Sequence, residues 1–124
     1  MRGQKLFVRP LDPADRDIVA AFLATHSPQS AVPTDGLIGK LVGSLAAVLA
    51  MEITDTSIAI RDLVVAPELR RKRVGRVMIE ELDAMAGKLE RDWLVADGAG
   101  ESREFFRRVG FGEDGMRMMR RVRR

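Results

Sequence analysis

The densest chemistry in the chain lies between Pro67 and Arg76, where Arg70, Arg71, Lys72 and Arg73 are followed by Val74, Gly75 and Arg76. An apolar run from Ile58 to Val65 leads into this turn. Beyond it, Val74, Val77, Met78, Leu82, Met85 and Leu89 follow the i, i+3, i+4 pattern of one helix face, which predicts a long helix with that face buried and Glu80, Glu81 and Asp83 mostly on the others. A strand ending at a helix N-terminus offers backbone N–H groups with no intrahelical partner and about half a positive charge. Cations beside those amides make the turn an anion site.

The other reactive side chains are few. The chain has no cysteine, which excludes a disulfide frame, a thiolate metal site and a cysteine nucleophile together. It has no tyrosine, and His26 is its single histidine, in a stretch (residues 26–36) that reads as a Pro/Ser/Gly-rich loop. A surface or lid role suits that histidine better than catalysis. No residue spacing suggests a metal-ligand cluster, so no metal is expected.

The net charge is +3, with the excess concentrated at residues 70–76 and 117–124. Nucleic acid, a nucleotide-like cofactor and an acidic protein are the partner classes this admits. Five Phe, one Trp and no Tyr make a poor base-stacking platform, so nucleic acid ranks last. The longest apolar run, Leu45 to Met51, falls well short of the ~20 residues that span a bilayer, and no signal-peptide pattern opens the chain. A cytoplasmic protein without a membrane partner is expected, with 1–124 as a single domain.

Local patterns place the elements around the basic turn. Residues 4–9 read as a short strand. Asp12-Pro13-Ala14-Asp15 reads as a helix start with Asp12 as the N-cap, and Ile18 and Phe22, with Ala21 and Leu23, as the buried face of that helix. Two strands, 36–42 and 45–53, flank Gly43-Ser44, and a third covers 58–65; short links make the three antiparallel. The near-continuous apolar run of 45–53 predicts a central strand. A strand at 92–96, reached through the long helix, should lie parallel beside 58–65. Glu101 to Val109 reads as a short helix closed by Gly110, and a strand pair turning at Asp114-Gly115 ends the chain. The expected fold is α+β, an α/β/α sandwich around a mixed, mostly antiparallel sheet of six to seven strands.

This order, with Arg70-Arg71-Lys72-Arg73-Val74-Gly75 before the long helix and Phe105-Phe106-Arg107-Arg108-Val109-Gly110-Phe111 near the end, resembles the GNAT family of N-acetyltransferases. The family's R/Q-x-x-G-x-G/A motif is matched at Arg70 and Gly75, while Arg73 stands where its first glycine falls. Its F-Y-x-x-x-G-F motif is matched except that Phe106 replaces tyrosine. The resemblance spans Leu6 to about Arg120 and implies a domain that binds acetyl-CoA. Backbone amides of residues 71–76, with Arg70, Arg71, Lys72, Arg73, Val74, Gly75 and Arg76, would hold its diphosphate. Leu63, Val64 and Val65 would pair through their backbone with the pantetheine arm where the fourth and fifth strands splay. Phe106 would line the same site.

The resemblance also implies transfer of the acetyl group to an unidentified amine by direct attack. The tyrosine that serves many members as acid is absent, and the family's frequent asparagine falls near Ala99. Glu52 and Asp62 are the candidate bases, with Asp97 a third; each is equally an ion-pair partner for an arginine. Segments at 26–30, 45–48, 70–75 and 93–97 are also similar to a GNAT-like acetyl-CoA sensor that controls aspartate decarboxylase maturation. That likeness implies a non-catalytic regulator with a partner protein such as the decarboxylase proenzyme. Monomer and homodimer both remain open: an apolar edge on the last strand could pair with a second copy, against repulsion among the arginines at 117, 120, 121, 123 and 124.

Overall fold

Short apolar stretches separated by tight turns set the strand order. In the computed structural model, which describes residues 5–70, 72–97 and 102–123, the strands are β1 (Leu6–Pro10), β2 (Gly36–Leu41), β3 (Ser44–Ile53), β4 (Ser57–Val65), β5 (Trp93–Asp97), β6 (Gly112–Asp114) and β7 (Arg117–Arg121). The helices are α1 (Arg16–His26), α2 (Val74–Lys88) and α3 (Ser102–Arg108). One sheet runs in the order β1-β2-β3-β4-β5-β7-β6, and only β4 and β5 pair in parallel. The expected α+β sandwich is therefore the observed fold.

The turns form for local reasons. Val42 and Gly43 both take positive φ, 50° and 79°, the geometry of a two-residue hairpin whose twist matches its strands. Asp12 Oδ1 accepts from the Ala14 N–H while Asp15 Oδ2 accepts from the Asp12 N–H, a reciprocal cap. That cap closes a 3-10 turn over Pro13–Asp15, and the α-helix proper starts only at Arg16. At the end of α3, the Gly110 N–H bonds Arg107 O and the Phe111 N–H bonds Phe106 O, with Gly110 at φ 94° and the Phe106 and Phe111 rings 5.1 Å apart. This is a Schellman cap with its apolar clasp, as Gly110 predicts.

Two apolar clusters lie on opposite faces of the sheet. Val19, Phe22 and Leu23 of α1 meet Ile38, Val48 and Val64 on one face. Val74, Met78, Ile79 and Leu82 of α2 meet Leu37, Leu49, Ile58 and Leu94 on the other. Alternating side chains along each strand feed both clusters.

Three expectations need correction. Ile18 is 44% exposed and Ala21 is also exposed, because the buried stripe of α1 runs through Val19, Phe22 and Leu23 instead. On α2, Asp83 is buried while Leu89 lies outside the helix and is exposed, since the core-facing stripe turns through Ile79 and Ala86. The last strand is not an edge: β7 inserts between β5 and β6, so the edges are β1 and the three-residue β6. One of its arginines, Arg120, points inward and is 4% exposed. No helix among the described residues is long and apolar enough to cross a membrane.

Candidate active site

The site begins with an irregularity in β4. Ala50 pairs with Asp62 and Met51 with Ile60, leaving Arg61 as the extra residue of a β-bulge. The bulge inverts the alternation of side chains. Before it, Ile58 and Ile60 face the α2 cluster; after it, Leu63 and Val65 take that face and Val64 joins the α1 cluster. By the same alternation Asp62 turns to the α1 side. Without the extra residue it would have shared a face with Ile58 and Ile60.

The parallel pairing of β4 with β5 covers Ser57 to Ile60 and goes no further. Past that point the β5-facing edge of β4 has no strand partner among the described residues. A groove of about 990 Å³ opens there, walled by Leu63, Val65, Leu69, Phe105 and Phe106 and edged by Arg61, Arg70, Arg73, Arg76 and Arg108. Asp62 and Asp97 are the carboxylates among its described lining residues.

At one end of the groove stands the N-terminus of α2. The first helical bond runs from the Val77 N–H to Arg73 O at 3.0 Å, so the amides of Val74, Gly75 and Arg76 precede the ladder. Arg73 adopts φ 66° and ψ 9°, the left-handed conformation that glycine takes without penalty. The arginine thus keeps the backbone geometry of the glycine it stands in for, at a cost of ~1 kcal/mol or more. Gly75 sits at a close approach: a Cβ there would lie 3.0 Å from Cε1 of Phe105, and the ring would have to give way. Arg76 Nη2 donates to Arg108 O at 3.3 Å, linking α2 to the end of α3. Arg103 and Arg107 both pair with Glu113, which holds that carboxyl below its usual range and ties α3 to β6.

A second cavity, about 560 Å³, lies beneath the loop after α1 and is lined by Gln29, Ser30, Thr34, Asp35, Ala50 and Met51 among others. Arg61 and Asp62 line both spaces, so this bulged pair stands at their junction. Asp62 Oδ2 accepts from Ser30 Oγ at 2.5 Å, and Ser30 Oγ lies 2.7 Å from Ser27 Oγ.

The sequence candidates separate accordingly. Asp62, Leu63, Val65, Arg70, Arg73, Val74, Gly75, Arg76, Asp97 and Phe106 converge on the groove. Val64 contributes its backbone to that stretch of β4 while its side chain is buried against α1. Lys72 is exposed at the turn, and Arg71 and Ala99 lie outside the described residues. Glu52 lines neither cavity; it is exposed and engaged in an ion pair with Arg61. His26 packs edge-on against Phe22 at 4.7 Å and also lines neither. Phe106 is buried, so the wall where many family members carry a phenol presents an unsubstituted ring, and Ser102 carries the only hydroxyl among the described lining residues. No metal-ligand cluster occurs among the described residues. Sequence reasoning missed Ser30, Phe105 and Arg108. The Phe105-Phe106 doublet pointed to the second of these, whereas Ser30 carries no local signal.

Comparison with known proteins agrees with this fold. The family model of the acetyltransferase (GNAT) domain matches residues 23–113, well over half of the chain. The chain belongs to that family of N-acetyltransferases. No curated protein matches it. Among solved structures it is similar to the ribosomal-protein-alanine N-acetyltransferase of Escherichia coli, at 12% identity and TM-score 0.79, covering 97% of this chain and 96% of that one. It is also similar to an E. coli GNAT family N-acetyltransferase in complex with CoA, at 15% identity and TM-score 0.76, covering 99% and 84%. A third likeness is to N-acetylglutamate synthase of Neisseria gonorrhoeae complexed with coenzyme A and L-arginine, at 16% identity and TM-score 0.81. That one covers 96% of this chain but only 34% of the synthase. At these identities the likeness is one of fold.

Proposed function

We propose that residues 1–124 act as one domain that transfers the acetyl group of acetyl-CoA directly to a primary amine. The observation that carries this reading is the position of Asp62, which lines both the basic groove and the cavity under the loop after α1. The residues present fit acetyl-CoA. The amides of Val74, Gly75 and Arg76 at the start of α2, with Arg70, Arg73 and Arg108 around them, suit a diphosphate. Leu63 to Val65 are paired with β3 on one side, and their edge toward β5, which has no strand partner among the described residues, suits the amides of a pantetheine arm. The acceptor enters from the smaller cavity.

Direct transfer needs little more than proximity and a proton acceptor. The amine nitrogen attacks the acetyl carbonyl carbon, a C–N bond forms and the C–S bond breaks with its electron pair on sulfur. The nitrogen becomes acidic as it bonds to carbon, and the Asp62 carboxylate takes its proton. The thiolate is a good enough leaving group to depart without a phenol, and solvent supplies its proton.

A second reading, acetyl-CoA as a signal read by a partner such as the aspartate decarboxylase proenzyme, is favoured by one observation. Phe106 offers no hydroxyl at the groove. Calorimetry with acetyl-CoA comes first: a Kd no tighter than ~1 mM ends both readings. Thiol release over a panel of primary amines then separates them. Release that depends on the amine and is strongly reduced in Asp62→Asn supports transfer; tight binding without release supports the signal.

A further inference from the structure

The pair of serines after α1 has no place in the reading so far. Ser27 is buried, Ser30 is half-buried, and they are joined Oγ to Oγ at 2.7 Å. Ser30 Oγ also reaches across 32 residues of sequence to Asp62 Oδ2 at 2.5 Å. A hydroxyl has one proton to give, and an ionised carboxylate can only accept. Ser30 therefore donates to Asp62, and Ser27 must donate to Ser30. The direction of the relay is fixed by its end.

We infer that Ser30 is the positioning residue of this acetyltransferase: it orients the Asp62 carboxylate toward the acceptor and latches the loop that covers the acceptor's cavity. The inference rests on the proposed role of Asp62. Three features of the geometry support it. Oδ2 is occupied by Ser30, while Oδ1 has no hydrogen-bond partner among the described residues, which leaves one defined oxygen for the incoming nitrogen. Asp62 sits beside a bulge, which re-aims its side chain toward the loop after α1, and Ser30 meets it there. The loop between α1 and β2 is also tied to the sheet by its backbone, through the Met51 N–H to Asp35 O bond at 3.0 Å. Ser30 adds a side-chain tie that closes on the reacting group itself. A charge-assisted hydrogen bond of this kind is stronger than a neutral one and directional, which is what a positioning contact requires.

The test compares Ser30→Ala, Ser30→Thr and Asp62→Asn, with 1,4-diaminobutane, glycinamide and benzylamine as acceptors in the thiol-release assay. Ser30→Ala should lower kcat about tenfold, while KM for acetyl-CoA and its calorimetric affinity stay within about twofold. Ser30→Thr keeps the hydroxyl and should recover most of the rate. Adding Ser30→Ala to Asp62→Asn should cost nothing further, because the serine acts through the carboxylate. Equal losses for the alanine and threonine variants, or an additive loss in the double variant, would overturn the inference while leaving Asp62 as base. Full activity in Asp62→Asn would overturn the parent reading instead. Hydrogen exchange across residues 27–35 tests the latch without turnover: Ser30→Ala should speed it, and unchanged exchange sinks the latch.

Discussion

The Phe105 ring packs directly over Gly75: a Cβ there would stand 3.0 Å from its Cε1 and 3.1 Å from its Cζ. One missing methyl thus lets α3 close on the first turn of α2, at the mouth of the basic groove. Gly75→Ala should cost at most ~1 kcal/mol in stability, because a half-buried ring can move by a few tenths of an ångström. Its direction of escape is the groove that Phe105 itself lines. The variant should therefore lose acetyl-CoA affinity, by about three- to tenfold, out of proportion to its change in melting temperature. Calorimetry beside thermal denaturation checks this.

Arg73 is strained by its own side chain. Arg73→Gly should raise stability by ~0.5–1 kcal/mol, the relief of a left-handed non-glycine residue less the added chain entropy of glycine. The same change removes a cation from the groove, so acetyl-CoA affinity should fall and depend less on salt. Arg73→Ala keeps the strain and loses the charge, and should show the second effect alone. Urea denaturation and calorimetry at two ionic strengths separate the two.

Arg120 is a buried cation held between helices. Its Nη1 donates to Val109 O at 3.0 Å and pairs with Glu80 at 3.1 Å; Nη2 lies 3.5 Å from Asp83, whose carboxylate also accepts the Arg123 N–H. The bond from Arg120 keeps the Glu80 carboxyl below its usual range. Nε of Arg120 is buried without a hydrogen-bond partner among the described residues. Asp83→Ala should cost ~3 kcal/mol by leaving the guanidinium under-paired, whereas the double change Arg120→Met with Asp83→Leu should come close to neutral. Chemical denaturation of the three proteins decides it.

Arg9 grips Asp15 with both guanidinium nitrogens at 2.7 Å, and the Asp12 N–H adds a third bond. The Arg9 bond first, and the Asp12 amide second, hold the Asp15 carboxyl at about 2 against an ordinary 3.8. A depressed carboxyl stabilises the fold above its unfolded value and loses that contribution as protons are added. The contribution of Asp15 should be complete above pH 3.8 and fade between there and about 2. Asp15→Asn should melt lower than the parent at pH 6, and the gap should close as pH falls through that window.

Much of the site was legible along the chain. The basic turn, Gly75, the Phe-Phe doublet and Gly110 are neighbours in sequence, and each is governed by local backbone chemistry: free amides, close approach or positive φ. What misled was also local. Glu52 and Asp62 look alike as single carboxylates on adjacent strands. Yet Arg61 neutralises one, and the bulge at Arg61 turns the other into the junction of two cavities.

The order of strands and helices, the caps and the basic turn at the start of the long helix follow from the sequence by itself, because hydrophobic period, turn residues and helix-end chemistry act over a few residues. Only the tertiary structure decided that Val19 rather than Ile18 is buried, that Arg120 and Asp83 meet inside, that β7 is not an edge, and that Ser30 reaches Asp62. Those facts depend on which faces of distant segments pack together, and burial, ion pairing and register are settled between elements, not within them.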